Sequence, residues 1–146
     1  MQASADSWKR EPFLEGVPLA YQANFTAQQF ARLQQGLVPC EMEHKWFVYH
    51  EAPFLFLHRS WSGKPVYRVE LAAEGEGARV LRAELSKAMG ASEAELGQQA
   101  LMLDFLVSNL LLGQAKPFPR PPGLVEPRPG VFQQHIAGTA YPERDC

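Results

Sequence analysis

Residues 45–71 read KWFVYHEAPFLFLHRSWSGKPVYRVEL and hold three short apolar and aromatic runs separated by two turn signals. The first signal is HEAP, where Pro53 interrupts the pattern, and the second is Ser62-Gly63. Runs of this length, rich in aromatic and β-branched residues and bounded by Pro and Gly, predict three consecutive strands rather than one helix. Phe47 and Tyr49 alternate with Trp46, Val48 and His50, so both faces of the first strand carry bulky groups. Strands so continuously apolar predict an antiparallel meander covered by helices on at least one face.

The flanking sequence supplies those helices. Phe25–Val38 places Phe30, Leu33 and Leu37 at helical spacing, with Thr26 as N-cap, Gly36 near the end and Pro39 as a stop. Ser92–Leu112 (SEAELGQQALMLDFLVSNLLL) is the longer helix, opened by a Ser92/Glu95 capping box, with a wide apolar face through Leu96, Leu103, Leu106 and Leu110 and with Gly113 after its end. Ala78–Leu85, after the AAEGEG turn, fits a fourth strand or the start of a helix. The expected fold is therefore α+β: an antiparallel meander of three or four strands packed against a long C-terminal helix and a shorter N-terminal one. Residues 1–24 are expected as an irregular arm, 25–113 as the α+β domain and 114–146, rich in proline, as an extended tail packed on it.

A chain of 146 residues has the size of one domain and buries roughly 70% of its unfolded surface, enough for a core without staples. The net charge of −2 argues against double-stranded nucleic acid as a partner, which needs a basic face. Cys40 and Cys146 stand outside any CxxC or Cys/His cluster, so no metal and no cofactor is expected, and a disulfide between them is the lesser reading. The start, MQASADSWKREPF, has no apolar h-region, and LMLDFLVSNLLL is too short to span a membrane, so a cytoplasmic location is expected. Walker, GxGxxG, HExxH and GxSxG patterns are missing from the chain.

Against this apolar background His58, Arg59 and Ser60 form a polar string at the end of the second strand. Strand alternation puts His58 and Ser60 on the face of Phe54 and Phe56, and Arg59 on that of Leu55, Leu57 and Trp61. If HEAP is a four-residue loop, Tyr49 pairs with Phe54, Phe47 with Phe56 and Lys45 with His58. An ammonium, an imidazole and a hydroxyl would then meet at one rim, an arrangement suited to an anion. Two plainer readings stand beside this one. The string is the solvated end of a strand, or Arg59 makes a structural ion pair with Glu43, Glu70 or Glu84. Trp46 and Trp61 fit a core or rim position as well as a stacking role, and His44 and His50 read as surface histidines. His135 lies in the irregular tail.

Gly36-Leu37, then P-x-x-M-E-x-K-W-F over Pro39, Met42, Glu43, Lys45, Trp46 and Phe47, then L-x-x-H-R-S-W-[ST]-G over His58, Arg59, Ser60, Trp61 and Gly63, with Tyr67 following, resemble a family of small, mostly uncharacterised bacterial proteins. LLLGQAKPFP at the end of the long helix is also similar, and the family pattern carries an acidic residue where this chain has His44. The resemblance implies a loose association with proteins acting on ADP-ribose or nucleotides. On that reading Lys45, Arg59 and Ser60 hold phosphate, Trp46 or Trp61 stacks on a base or sugar, and His58 is the general acid or base of any reaction. Whether the chain is an enzyme stays open. The expected partner is a small anionic ligand bound in a pocket. The alternative is a protein-interaction module, such as an immunity or inhibitor protein, for which exposed Trp and Arg are the usual anchors.

Overall fold

The computed structural model describes residues 2–40 and 44–119. Expectations that involve Met42, Glu43, His135, Cys146 or the stretch 120–146 lie outside those residues. In chain order the elements are β1 (Gly16–Leu19), β2 (Asn24–Phe25), α1 (Ala27–Gln35), β3 (Trp46–Glu51), β4 (Phe54–Arg59), β5 (Pro65–Glu74), β6 (Gly77–Ser86) and α2 (Glu93–Leu106), the last continuing as a π-helical turn, Val107–Leu111. The fold is α+β, with a mostly antiparallel sheet and a C-terminal helix. The sheet is larger than the three or four strands expected: among the described residues it has six, in the order β1-β6-β5-β4-β3, with β2 also on β6. The extra two come from segments read as irregular entry. Gly16–Leu19 pairs with Ala83–Ser86, and Asn24–Phe25 with Ala78–Arg79. Neither segment has a strand pattern of its own, and Pro18 is tolerated because β1 is an edge.

Local chemistry accounts for the helix starts. Thr26 Oγ1 accepts the Gln29 N–H at 3.1 Å, while Gln29 Oε1 accepts the Thr26 N–H at 3.0 Å, so each residue satisfies the other's orphan donor. At α2, Glu95 Oε1 accepts both the N–H (3.0 Å) and the hydroxyl (2.8 Å) of Ser92. Those bonds hold the Glu95 carboxyl below its usual range. The chain then folds back: Asn109 bonds both backbone groups of Lys116, whose ammonium reaches Asp104 at 2.9 Å, and Phe118 packs edge-on to Phe105.

The β3–β4 turn corrects the expected register. Glu51 pairs directly with Phe54, so the turn is the two residues Ala52 and Pro53 rather than four. His50 and Glu51, read as loop, belong to the strand. Tyr49 therefore faces Phe56 and Phe47 faces His58, a shift of two residues from expectation. A shift of two preserves which face each side chain occupies but changes every cross-strand neighbour.

Both faces of the β3–β4 hairpin are covered. On one, Trp46, Val48, Leu55, Leu57, Val69 and Leu85 form the main core with Leu33 of α1 and Leu103 and Leu106 of α2. On the other, Phe47 and Tyr49 form a second core with Ala3 and, at its margin, Ala5, Trp8, Val38 and Phe56. The N-terminal arm is thus the second layer. No helix of the described residues is long and apolar enough to cross a membrane.

Leu103 is fully buried between α2 and the sheet. Leu103→Ala is expected to cost about 2–5 kcal/mol in urea unfolding. A loss under about 1 kcal/mol would mean that α2 is not the principal cover of that face.

Candidate functional site

The polar string at the end of β4 is turned inward. His58 is 1% exposed. Its ring lies among Tyr49 (centroids 5.7 Å, stacked), Phe47 (6.1 Å) and Phe56 (6.3 Å). Nδ1 is 3.1 Å from the Gly63 carbonyl oxygen, which can only accept, so Nδ1 carries the hydrogen. Burial pushes the imidazole below its ordinary range. The Gly63 bond and Glu11 oppose that shift, and the Arg10 charge adds to it.

Ser60 is equally buried. Its hydroxyl donates to the His44 carbonyl at 2.6 Å, its N–H to the Lys45 carbonyl at 2.9 Å, and its own carbonyl accepts the Trp8 indole N–H at 2.7 Å. Every polar atom of Ser60 is used inside the protein. The turn that follows is closed by the Gly63 N–H to the Arg59 carbonyl at 2.8 Å. Gly63 has φ 74°, and a Cβ there would stand 3.1 Å from the Arg10 Cα and the Lys9 carbonyl, so the arm crosses the turn where only glycine fits.

The other four residues lie in two separate pairs. The Arg59 guanidinium sits 4.9 Å over the ring of Trp46 on the helix-covered face. Trp46 is buried and stacks on Tyr67, whose hydroxyl donates to Gln99 of α2 at 2.6 Å. Burial raises the Tyr67 phenol well above its ordinary range. Lys45 Nζ lies 4.4 Å over the ring of Trp61, which is 56% exposed at the tip of the turn.

The six residues are close in the fold but do not line one concavity. Lys45 is not opposite His58, Arg59 and His58 occupy opposite faces, and His58 and Ser60 are closed off from solvent. Two of the carboxylates considered for Arg59 are engaged elsewhere: Glu70 with Arg82 at 2.6 Å and Glu84 with Arg68 at 2.7 Å. His44 is not a surface residue either. It is 1% exposed, and its Nδ1 accepts the Cys40 N–H at 3.2 Å. His50 is half-buried edge-on to Phe30, and burial lowers its pKa.

The sequence reading passed over Trp8 altogether. Its indole tip ties the arm to the end of β4 across 52 residues of sequence, and a lone Trp in a polar arm carries no local pattern that announces such a contact. Among the described residues, no three His, Cys, Asp or Glu side chains are grouped to hold a metal ion. A shallow cleft of about 280 Å³ lies elsewhere, lined by Leu101, Asp104, Phe105 and residues 116–119. No protein-family model, curated protein or solved structure matches the chain.

Ser60→Ala is expected to cost about 1–3 kcal/mol, because a short buried hydrogen bond to the His44 carbonyl is lost. Urea unfolding of the variant checks this. Unchanged stability would mean that the Ser60 hydroxyl does not hold the strand end in solution.

Proposed function

We propose that the chain is a protein-interaction module that docks through the 60–63 turn, with Trp61 as anchor and Lys45 as the cation beside it. One observation carries the reading. The fold buries the polar groups of His58 and Ser60 and puts a large aromatic ring into solvent at the tip of a rigidly held turn. A half-exposed Trp flanked by a Lys ammonium has the composition of an interface anchor, because it offers much apolar area at little entropic cost. Lys64 follows the turn, and Lys9, Arg10 and Glu11 cross it, so with Lys45 the cations outnumber the one carboxylate and favour an acidic partner surface, such as that of an enzyme or toxin held by an inhibitor or immunity protein.

A second reading keeps the small anionic ligand, a nucleotide or ADP-ribose derivative. The closeness of the Lys45 ammonium to the Trp61 ring favours it, since phosphate and base could be met by one pair of side chains. On this reading Lys45 and Trp61 make the contacts, and His58 and Ser60 support the turn from within, while Arg59 stays on Trp46 outside the site.

Two measurements separate the readings. Trp61→Ala should leave the melting temperature nearly unchanged and weaken a retained protein partner by roughly thirtyfold, the equivalent of about 2 kcal/mol at an interface hot spot. Leu101→Ala, which alters an exposed apolar residue of α2 outside the turn, should retain the partner. If ATP, ADP or ADP-ribose at a hundred times its dissociation constant stabilises the protein by about 2.7 kcal/mol, and Lys45→Ala removes that shift, the ligand reading replaces the interface. A partner held equally by wild type and Trp61→Ala would remove the turn from the interface.

A further inference from the structure

Among the described residues, the outer core contains one buried side-chain polar atom without a hydrogen-bond partner. With Nδ1–H donating to Gly63, Nε2 of His58 holds the lone pair of the neutral ring, and it is buried without a hydrogen-bond partner. Native interiors rarely leave such a group unpaired. Its neighbours are the rings of Phe47, Tyr49 and Phe56, none of which satisfies it.

The cover over this core is the N-terminal arm, which is not a helix or strand. Three long-range hydrogen bonds fix it: Ala3 N–H to the Gln35 carbonyl (2.7 Å), the Trp8 indole N–H to the Ser60 carbonyl (2.7 Å) and Glu11 N–H to the Gly63 carbonyl (2.8 Å). The Gly63 oxygen is the same one that accepts His58 Nδ1–H. Ring and arm therefore share an acceptor, which places the ring directly beneath the arm's Glu11 anchor.

We propose that the arm is an acid-released cover: protonation of His58 detaches residues 3–11 from the sheet, uncovers the Phe47–Tyr49–Phe56 face and frees the turn that carries Trp61. The proposal does not depend on what Trp61 binds.

The electrostatics around the ring set the direction. From the arm, Arg10 repels a second positive charge and Glu11 attracts it. From β3, the Tyr49 phenol is raised by burial and stays neutral, and Lys45 stands at the strand's start. The facing β5 residue, Pro65, has no charge. Loss of water outweighs the Gly63 hydrogen bond and Glu11, so the covered ring takes a proton less readily than a ring in solvent. With the arm off, the ring returns to an ordinary value near 6.5. The closed state is thus fully favoured above about pH 6.5 and loses that advantage as pH falls below it. If the covered ring stays neutral, the opening constant rises by up to about thirtyfold between pH 7.5 and 5.0.

Amide hydrogen exchange of the full chain tests this at the Ala3 and Glu11 N–H groups, with rates corrected for the intrinsic effect of pH. In the wild type, opening at both should rise at least tenfold from pH 7.5 to 5.0, while amides in the β5–β6 ladder stay protected. His58→Phe, which keeps the aromatic packing and removes the titrating group, should flatten the response. A change under about twofold in the wild type, or the same rise in His58→Phe, overturns the proposal; the latter would point to His44 or His50. Should His58→Phe fail to fold, the wild-type His58 ring can be titrated by NMR. A midpoint below 6.5 that coincides with loss of arm protection supports the cover, and a midpoint at or above 6.5 overturns it.

Discussion

The structure depends on a hairpin that is apolar on both faces. In β3 and β4, Trp46, Val48, Leu55 and Leu57 point one way and Phe47, Tyr49 and Phe56 the other. A helix can cover only one side of such a sheet. The second side needs other chain, and here it is residues 3–13, a stretch with no periodic structure to stiffen it. Most of the arm's order must come from the sheet it covers: from Ala3 and Trp8 in the outer core, and from hydrogen bonds to Gln35, Ser60 and Gly63. The arrangement makes the outer layer the less autonomous of the two, since the bonds within the arm, a Ser4–Ser7 turn and Arg10 Nε–H to the Ala5 carbonyl, are exposed and local, and the rest of its bound shape is completed on the sheet.

The same constraint explains the polar string at the end of β4. His58, Arg59 and Ser60 lie where three parts of the chain meet, and each joins a different one. His58 bonds the turn that the arm crosses, Arg59 rests on Trp46 under the helices, and Ser60 binds the chain entering β3 while accepting from Trp8. A strand end of purely apolar residues would take one buried hydrogen bond each from the carbonyls of His44 and Gly63. The Ser60 hydroxyl and the His58 imidazole make those bonds. Polar residues in a sheet can thus be structural without being solvated, an outcome that lies between the anion site and the wet strand end weighed from the sequence.

How much was legible follows from how local each signal is. The β3–β5 meander, both helix N-caps and the face of every residue in the string could be read, because alternation and capping are properties of neighbours in sequence. The β3–β4 register was misread by two because HEAP looks like a loop, whereas His50 packs on Phe30 and Glu51 pairs with Phe54. The β6 segment was ambiguous because Leu81, Arg82 and Glu84 suit a helix too. Pairing with β5 decides it, through Arg68 opposite Glu84 and Glu70 opposite Arg82. Exposure inverted the compositional expectation, with the Trp at position 61 in water and the His at position 58 dry, because the turn projects one and the arm seals the other. No pattern within a few residues encodes either fact.

Where the arm stops covering the sheet is itself set by charge. Moving from β4 to β6 on the outer face, the aromatic stripe gives way to cross-strand ion pairs, Arg68–Glu84 and Arg82–Glu70. Arg68 stands at the boundary, with its guanidinium 4.5 Å over Phe13 of the arm and 5.1 Å over Phe54 of the hairpin. Past this point the face can meet water, and an apolar cover gains little. The chain accordingly leaves the face after Phe13 and joins the sheet's edge as β1. At Gly16, opposite Ser86, an added Cβ would stand 2.6 Å from the Glu84 carboxylate, so the crossing is tight. One segment therefore serves as cover where the sheet is aromatic and as strand where it is ionic, and the side chains of β4, β5 and β6 set the point of change.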